Sequence, residues 1–237
     1  MTRVRAERKM KTDILRNTNI VMADDKIKAV VFDIDGTLSP HVSWTKLTAL
    51  LGASVPELNR IYEGLKSGNA EYEESKNAVL KLWQSGGKLS KVRLEEIFNN
   101  WELKPETGFV IDSLRSKGYV ICLITGSMDL YAEIIARRLG IDFWYANTIL
   151  HWKENGELQD LSYELDADKK KCEQFAEFCS KQSLLPTECV VVGDDANDVG
   201  LFKLSKHGIA AKSPTSSFLD SVAWKRINNL SQLKNIL

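Results

Sequence analysis

The sequence predicts an α/β protein with a doubly wound, mainly parallel Rossmann-like sheet and a small α-helical cap domain inserted after the first strand. Three apolar runs have the length and composition of strands buried on both faces of a parallel sheet, and they lie at residues 27–32, 119–124 and 189–192. Between the first two runs, residues 41–105 show helical spacing of apolar residues only, whereas helices and strands alternate after residue 105.

The domain boundaries follow from this change of pattern. Residues 1–26 are charged and lack the apolar core of a secretory signal, so we expect a flexible N-terminal extension, with Met22 as an alternative start. We then expect a core domain formed by residues 27–40 and 106–237, and a helical cap formed by residues 41–105.

The apolar residues of the cap predict three helices. Ser54 and Pro56 form a plausible N-cap and first-turn pair for the earliest of them. The residues that repeat at helical spacing are, helix by helix, Leu58, Ile61, Tyr62 and Leu65; Tyr72, Val79, Leu80 and Trp83; and Leu94, Ile97, Phe98 and Trp101.

After residue 105 the elements alternate. A helix ending near Gly118 leads into the second buried strand, and Gly140 ends the next helix before a short strand at residues 143–145. The run Glu154-Asn155-Gly156 between apolar residues predicts a β-hairpin. An amphipathic helix over residues 172–179 then precedes the third buried strand.

The composition argues against several classes of function. Lysine plus arginine and aspartate plus glutamate number 32 each, so no net field favours nucleic acid or an anionic membrane. No apolar run approaches the roughly 20 residues needed to span a bilayer. The four cysteines lack the paired spacing of zinc ligands and are interpreted as reduced, buried thiols. We therefore expect a cytoplasmic protein without a nucleic-acid or membrane partner.

Polar residues follow each predicted buried strand. The three segments are Asp33-Ile-Asp35-Gly-Thr37, Thr125-Gly126-Ser127 and Gly193-Asp194-Asp195-Ala-Asn197-Asp198. In open parallel sheets, ligands bind beyond the carboxyl ends of the strands. We therefore expect all three segments to meet in one crevice.

Asp33 and Asp35 are the most informative residues in the chain. One residue separates them, so in extended backbone both side chains project from the same side. Two carboxylates in one place repel unless a cation neutralises one or one keeps its proton. Together with Asp194 they supply the hard oxygen ligands that Mg²⁺ prefers.

The remaining polar residues suit an anion. Thr125 and Gly126, expected between a strand and a helix, would present a hydroxyl and backbone amides, and Lys171 would add a point charge. In such a site one carboxylate can carry the phosphoryl group as an aspartyl phosphate. A second can protonate the leaving oxygen and then deprotonate water. The sequence therefore predicts phosphoryl transfer.

These motifs resemble those of the haloacid dehalogenase superfamily of phosphatases, in order, over residues 27–237. The resemblance implies that Asp33 is the nucleophile and that Asp35 is the acid/base, whose backbone carbonyl also binds Mg²⁺. It implies that Asp194 is the third metal ligand. The same resemblance assigns phosphate or substrate binding to Thr37, Thr125, Gly126, Lys171 and Asn197, and a supporting role to Asp198. Lys169 and Lys170 adjoin Lys171, which we favour because its spacing to Asp194 resembles that of phosphoserine-phosphatase-like members.

The cap is similar to that of the phosphoserine phosphatase branch. The chain departs from that branch at Val42, where a glutamate usually holds the substrate ammonium, and at Asn77, where an arginine usually holds the substrate carboxylate. We expect a small phosphorylated metabolite as substrate, and a monomer or homodimer. The alternatives are a phosphotransferase to an alcohol acceptor and a non-hydrolytic module that stores phosphate on aspartate.

Overall fold

A computed structural model describes residues 27–237, so the extension expected at residues 1–26 lies outside the described residues. The described chain forms a seven-stranded sheet of order β4-β3-β2-β1-β5-β6-β7. All neighbouring strands are parallel except the hairpin pair β3 and β4. The strands are β1 Ala29–Phe32, β2 Val120–Met128, β3 Phe143–Trp152, β4 Leu158–Ser162, β5 Cys189–Gly193, β6 Gly208–Ala211 and β7 Lys225–Ile227. The predicted fold class is confirmed.

Eight α-helices accompany the sheet in the described part of the chain. They are α1 Ser43–Leu50, α2 Val55–Lys66, α3 Tyr72–Gln84, α4 Lys91–Asn99, α5 Thr107–Ser116, α6 Asp129–Leu139, α7 Ala167–Gln182 and α8 Val199–Ser205. The first four follow one another between β1 and α5, in the stretch where the sequence pattern was helical only. No described helix has the length and apolar character needed to cross a membrane.

The sheet is covered on both faces because its central strand is apolar throughout. Side chains of a strand alternate between faces, and β1 divides accordingly. Val30 and Phe32 belong to a core cluster that also contains residues of α5, α6 and the inserted helices. Ala29 and Val31 belong to a second cluster with residues of α7 and α8. The helices therefore lie in two layers, one on each side of the sheet.

The inserted helices are joined to the rest of the molecule by the β3–β4 hairpin as well as by the chain. The backbone N–H of Leu158 donates to the carbonyl of Leu89, and that of Lys91 donates to Gly156. The Lys76 ammonium, on α3, lies 3.1 Å from the Asp160 carboxylate on β4. The hairpin predicted from Glu154-Asn155-Gly156 is present, and it supports the insertion.

Three details of the second half differ from the sequence prediction. Strand β2 continues through residues 125–127 to Met128, because its pairing with β3 resumes at Met128 after a register shift. Strand β3 runs to Trp152 rather than ending near residue 145, because its second half pairs with β4. Strands β6 and β7 were not predicted. They have only four and three residues, which is too short for a recognisable strand pattern of apolar residues.

Gly208 provides a test of the packing on the α8 side of the sheet. A Cβ at this position would lie 2.1 Å from Cγ of the buried Phe202, so Gly208→Ala forces the ring to move. We expect a loss of about 1–3 kcal/mol in the free energy of unfolding, measured by urea denaturation. Gly108→Ala is the control: nothing lies within 4 Å of its Cβ. In exposed helix the same change stabilises by roughly 0.5–1 kcal/mol. Equal effects of the two substitutions would contradict this packing.

Candidate active site

The register of the three central strands brings the polar segments together. Phe32, the last residue of β1, lies level with Leu123 on β2 and with Val192 on β5. The residues that follow in each strand therefore emerge at the same edge of the sheet. Thr37 donates a 2.7 Å hydrogen bond to Oδ1 of Asp194, which joins the segment after β1 to the segment after β5.

Lys171 is completely buried at the centre of this edge. Its Nζ lies 2.8 Å from Oδ1 of Asp33 and 2.7 Å from Oδ1 of Asp198, and it donates to Oδ1 of Asn197 at 3.1 Å. Burial alone lowers the pKa of Lys171, but the attraction of Asp198 and Asp33 outweighs it and raises the pKa above its ordinary value. Lys171 is therefore a permanent cation in the site.

The neighbouring lysines of the run point elsewhere. Lys169 and Lys170 lie within 4.0 Å and 3.9 Å of Glu173 on the solvent side of α7. Lys171 shares the inner face of the same helix with the buried Phe175 and Phe178. Helix geometry explains the difference, because residues four and seven positions apart lie on one face.

Three buried aspartates form a compact cluster around this cation. Oxygen atoms of Asp33, Asp194 and Asp198 all lie within 4.8 Å of one another. Burial raises the pKa of Asp33 well above its usual range and that of Asp194 to about 6. Both carboxylate oxygens of Asp198 are already bound within the protein. Oδ1 accepts from the Lys171 ammonium, and Oδ2 accepts the backbone N–H groups of Asp194 and Asp195.

The cluster suits a divalent cation. One lysine faces three carboxylates, so negative charge is in excess in a buried place, and carboxylate oxygens are ligands that Mg²⁺ favours. A Cβ at Gly36 would lie 2.1 Å from Oδ2 of Asp194. Any residue other than glycine would therefore displace this carboxylate oxygen. The carboxylate of Asp35, a predicted metal ligand, is not part of this cluster, and Asp198 takes its place. The resemblance implies that Asp35 binds the metal through its backbone carbonyl instead.

The carboxyl of Asp35 turns toward the insertion. Its Oδ2 accepts the backbone N–H of Ser43 at 2.7 Å and the Ser43 hydroxyl at 2.5 Å. Its Oδ1 is buried without a hydrogen-bond partner among the described residues, and so is the hydroxyl of Tyr131. Burial raises the pKa of Asp35, and the two hydrogen bonds from Ser43 oppose the increase. The carboxyl of Asp35 is therefore easier to protonate than that of an exposed aspartate.

Thr125 and Gly126 reach the edge from β2. Thr125 is buried, and its hydroxyl oxygen accepts the backbone N–H of Ser127 at 3.2 Å. A Cβ on Gly126 would lie 3.4 Å from Nδ2 of Asn197, the residue that also binds Lys171. The expectation that Thr125 and Gly126 lie between a strand and a helix is wrong, because both lie within β2 and α6 begins only at Asp129.

Several residues of the site were not identified from the sequence. Ser43 contacts the acid/base candidate Asp35, Ser127 contacts Ser43, and Lys104 donates a 2.6 Å hydrogen bond to the carbonyl of Gly36. Ser213 and Thr215 donate to the carbonyl of Asp194. Ser127 lies in a segment expected at the crevice but was given no role there. The others are ordinary polar residues outside recognisable motifs, and only the folded chain places them at the site.

The chain is similar to known proteins in sequence and in fold. The phosphoserine phosphatase of Methanocaldococcus jannaschii is 25% identical over 183 residues, which cover 76% of this chain and 83% of that protein. The phosphoserine phosphatase of Lactococcus lactis is 26% identical over 185 residues, covering 76% and 82%. The structure of a substrate-bound phosphoserine phosphatase has a TM-score of 0.69 and 24% identity, covering 90% of this chain and 99% of that one, and supports the fold.

The family model described as haloacid dehalogenase-like hydrolase matches residues 27–204, which include every residue of the aspartate cluster. The match covers more than half of the sequence and contains the strands β1, β2 and β5 whose ends form the site. The chain belongs to the haloacid dehalogenase-like hydrolase family.

Proposed function

We propose that this hydrolase is a magnesium-dependent phosphomonoester phosphatase that forms an aspartyl phosphate on Asp33. The observation that supports it most directly is the contact between the Asp33 carboxylate and the buried Lys171 ammonium at 2.8 Å, within a cluster of three aspartates. Relatives named phosphoserine phosphatase support the reaction class. No observation favours the phosphotransferase or the phosphate-storage module.

Each residue has a defined task in this reaction. An oxygen of Asp33 attacks phosphorus, and the bond from phosphorus to the leaving oxygen breaks. Asp35 gives its proton to the leaving oxygen and later takes a proton from the water that releases phosphate. Lys171 and the Thr125 hydroxyl hold the transferring oxygens. Bound magnesium, held by Asp33, Asp194 and the Asp35 carbonyl, would supply positive charge that reduces the repulsion between anions.

The substrate is proposed to be a small phosphorylated metabolite other than phosphoserine. Val42 is 56% exposed and carries no charge for an ammonium group. Asn77 is exposed on α3, and the nearby Lys76 is already paired with Glu73 and Asp160. The two charges that the phosphoserine phosphatase branch uses to recognise its substrate are therefore missing from these positions. A cytoplasmic location and a monomer or homodimer remain part of the proposal.

Replacing the nucleophile tests the core of the proposal. Asp33→Asn removes the oxygen that attacks phosphorus, so we expect kcat for p-nitrophenyl phosphate in Mg²⁺ to fall by at least about 10³-fold. Phosphate release is the measurement, and thermal unfolding verifies that the variant is folded. Asp142→Asn, an exposed aspartate before β3, is the matched control and is expected to keep full activity. Activity of Asp33→Asn near that of the unmodified protein would reject the assignment.

Metal dependence has a readout independent of turnover. A cation that binds only the folded protein stabilises it, by about 2.7 kcal/mol at one hundred times its Kd. We expect Mg²⁺ added after EDTA treatment to raise the unfolding temperature and to restore activity. Asp194→Asn is expected to abolish both effects, whereas Asp142→Asn keeps them. An unfolding temperature that does not respond to Mg²⁺, together with full activity in EDTA, would contradict the metal site.

A substrate screen tests the specificity. We expect phosphoserine to rank below other compounds among sugar phosphates, phosphoglycolate and nucleotides, with inorganic phosphate as the readout. The double variant Val42→Glu, Asn77→Arg adds the missing charges. Each exposed ion pair contributes roughly 0.2–1 kcal/mol, so with two pairs added we expect kcat/KM for phosphoserine to rise by about 2- to 30-fold. A strong preference of the unmodified protein for phosphoserine would show that Val42 and Asn77 do not determine specificity.

A further inference from the structure

Ser43 connects three parts of the molecule through one hydroxyl group. It is the first residue of α1 and is completely buried. Its Oγ lies 2.5 Å from Oδ2 of Asp35, in the segment after β1, and 2.5 Å from Oγ of Ser127 on β2. Ser127 is also buried. The contacts therefore run from the core strand β2 through the insertion to the acid/base candidate.

The direction of these hydrogen bonds follows from the number of protons available. A hydroxyl has one proton to donate and two lone pairs that accept. The Ser43 hydroxyl donates to Asp35, so its oxygen is the acceptor for the Ser127 hydroxyl. Because the Ser43 backbone N–H also donates to Oδ2, this oxygen is held from two directions.

The other oxygen of Asp35 is placed by the same contacts. A carboxyl group is planar, so fixing Oδ2 through two donors sets the direction of Oδ1. Oδ1 is buried and has no hydrogen-bond partner among the described residues. Oδ2 is therefore the anchored oxygen, and Oδ1 is the oxygen whose direction the contacts with Ser43 set.

We propose that Ser43 is a positioning residue that aims the carboxyl of Asp35 at the leaving oxygen of the substrate, and that Ser127 fixes Ser43 in place. This inference rests on the proposed phosphatase function and adds two residues to it. Since Ser43 belongs to the insertion and Ser127 to the core, Asp35 is correctly aimed only while α1 is docked against β2. The insertion thus contributes to proton transfer as well as covering the sheet edge.

Two substrates that differ only in their leaving group can distinguish a role of Ser43 in positioning Asp35 from a purely structural role. Phenolate is a poor leaving group and needs protonation, whereas p-nitrophenolate leaves as the anion. The two aryl phosphates are otherwise similar in shape. The measurement is kcat/KM, which reports the step up to formation of the aspartyl phosphate.

Ser43→Ala removes the hydroxyl and keeps the backbone N–H. General acid catalysis contributes about 10²–10⁴-fold, so partial misplacement of Asp35 should lower kcat/KM for phenyl phosphate by about 10- to 100-fold. For p-nitrophenyl phosphate we expect a loss of about threefold or less, because little protonation is needed. Ser127→Ala should show the same selective loss to a smaller degree, since it leaves the direct contact of Ser43 with Asp35.

Two further variants complete the test. Ser43→Thr keeps a hydroxyl at the same place and should restore activity toward phenyl phosphate. Thr45→Ala, on the exposed face of α1, should change neither substrate. Thermal unfolding of each variant verifies folding, and Ser127→Ala carries the test if Ser43→Ala does not fold.

The outcomes distinguish this inference from the proposed function. If the unmodified protein hydrolyses neither aryl phosphate, the proposed function fails. If it hydrolyses both, and Ser43→Ala and Ser127→Ala lose activity equally on the two substrates or lose none, the positioning role is overturned while the phosphatase function remains. Selective loss on phenyl phosphate with rescue by Ser43→Thr supports the inference.

Discussion

The site depends on one buried ion cluster, in which the Lys171 ammonium lies between Asp33 and Asp198. These three side chains come from α7, from the end of β1 and from the turn after β5, so their contacts fix the relative positions of three segments. Removing one partner of a buried pair leaves an unpaired charge and typically costs 3–5 kcal/mol. The cluster therefore stabilises the arrangement that it also prepares for chemistry, and Asn197 and Asp194 are placed relative to it.

The same cluster explains why a bound cation would stabilise the site. Lys171 compensates part of the charge of three carboxylates. Burial raises the pKa of Asp33 and Asp194, and repulsion from the neighbouring carboxylates adds to the increase. A protein could reduce this cost by replacing an aspartate with a neutral residue. Retaining all three is advantageous if a metal ion provides the missing positive charge, which connects the electrostatics of the fold to the proposed chemistry.

The sequence predicted those features that depend on local pattern. Strands β1, β2 and β5 were identified from continuous apolar runs, and the meeting of their polar ends followed from parallel topology. Lys171 was favoured over its neighbours only through the resemblance in its spacing to Asp194. The structure adds that Lys171 lies on the inner face of α7 with Phe175 and Phe178. The rest required the folded chain. The continuation of β2 to Met128 depends on pairing with β3, and the contact of Ser43 with Ser127 joins residues 84 positions apart.

The insertion can be understood from the two adjacent residues at the start of α1. Val42 lies outside the helix, is exposed, and offers only apolar contact to a substrate. Ser43 is buried and contacts Asp35. In a relative with a charged residue at the position of Val42, the same turn would recognise the substrate and position the acid together. In this chain Val42 offers no charge, whereas Ser43 contacts Asp35, the proposed acid/base. Val42 and Ser43 project in different directions from one helix terminus. A substitution at position 42 can therefore change substrate recognition without changing the contact of Ser43 with Asp35.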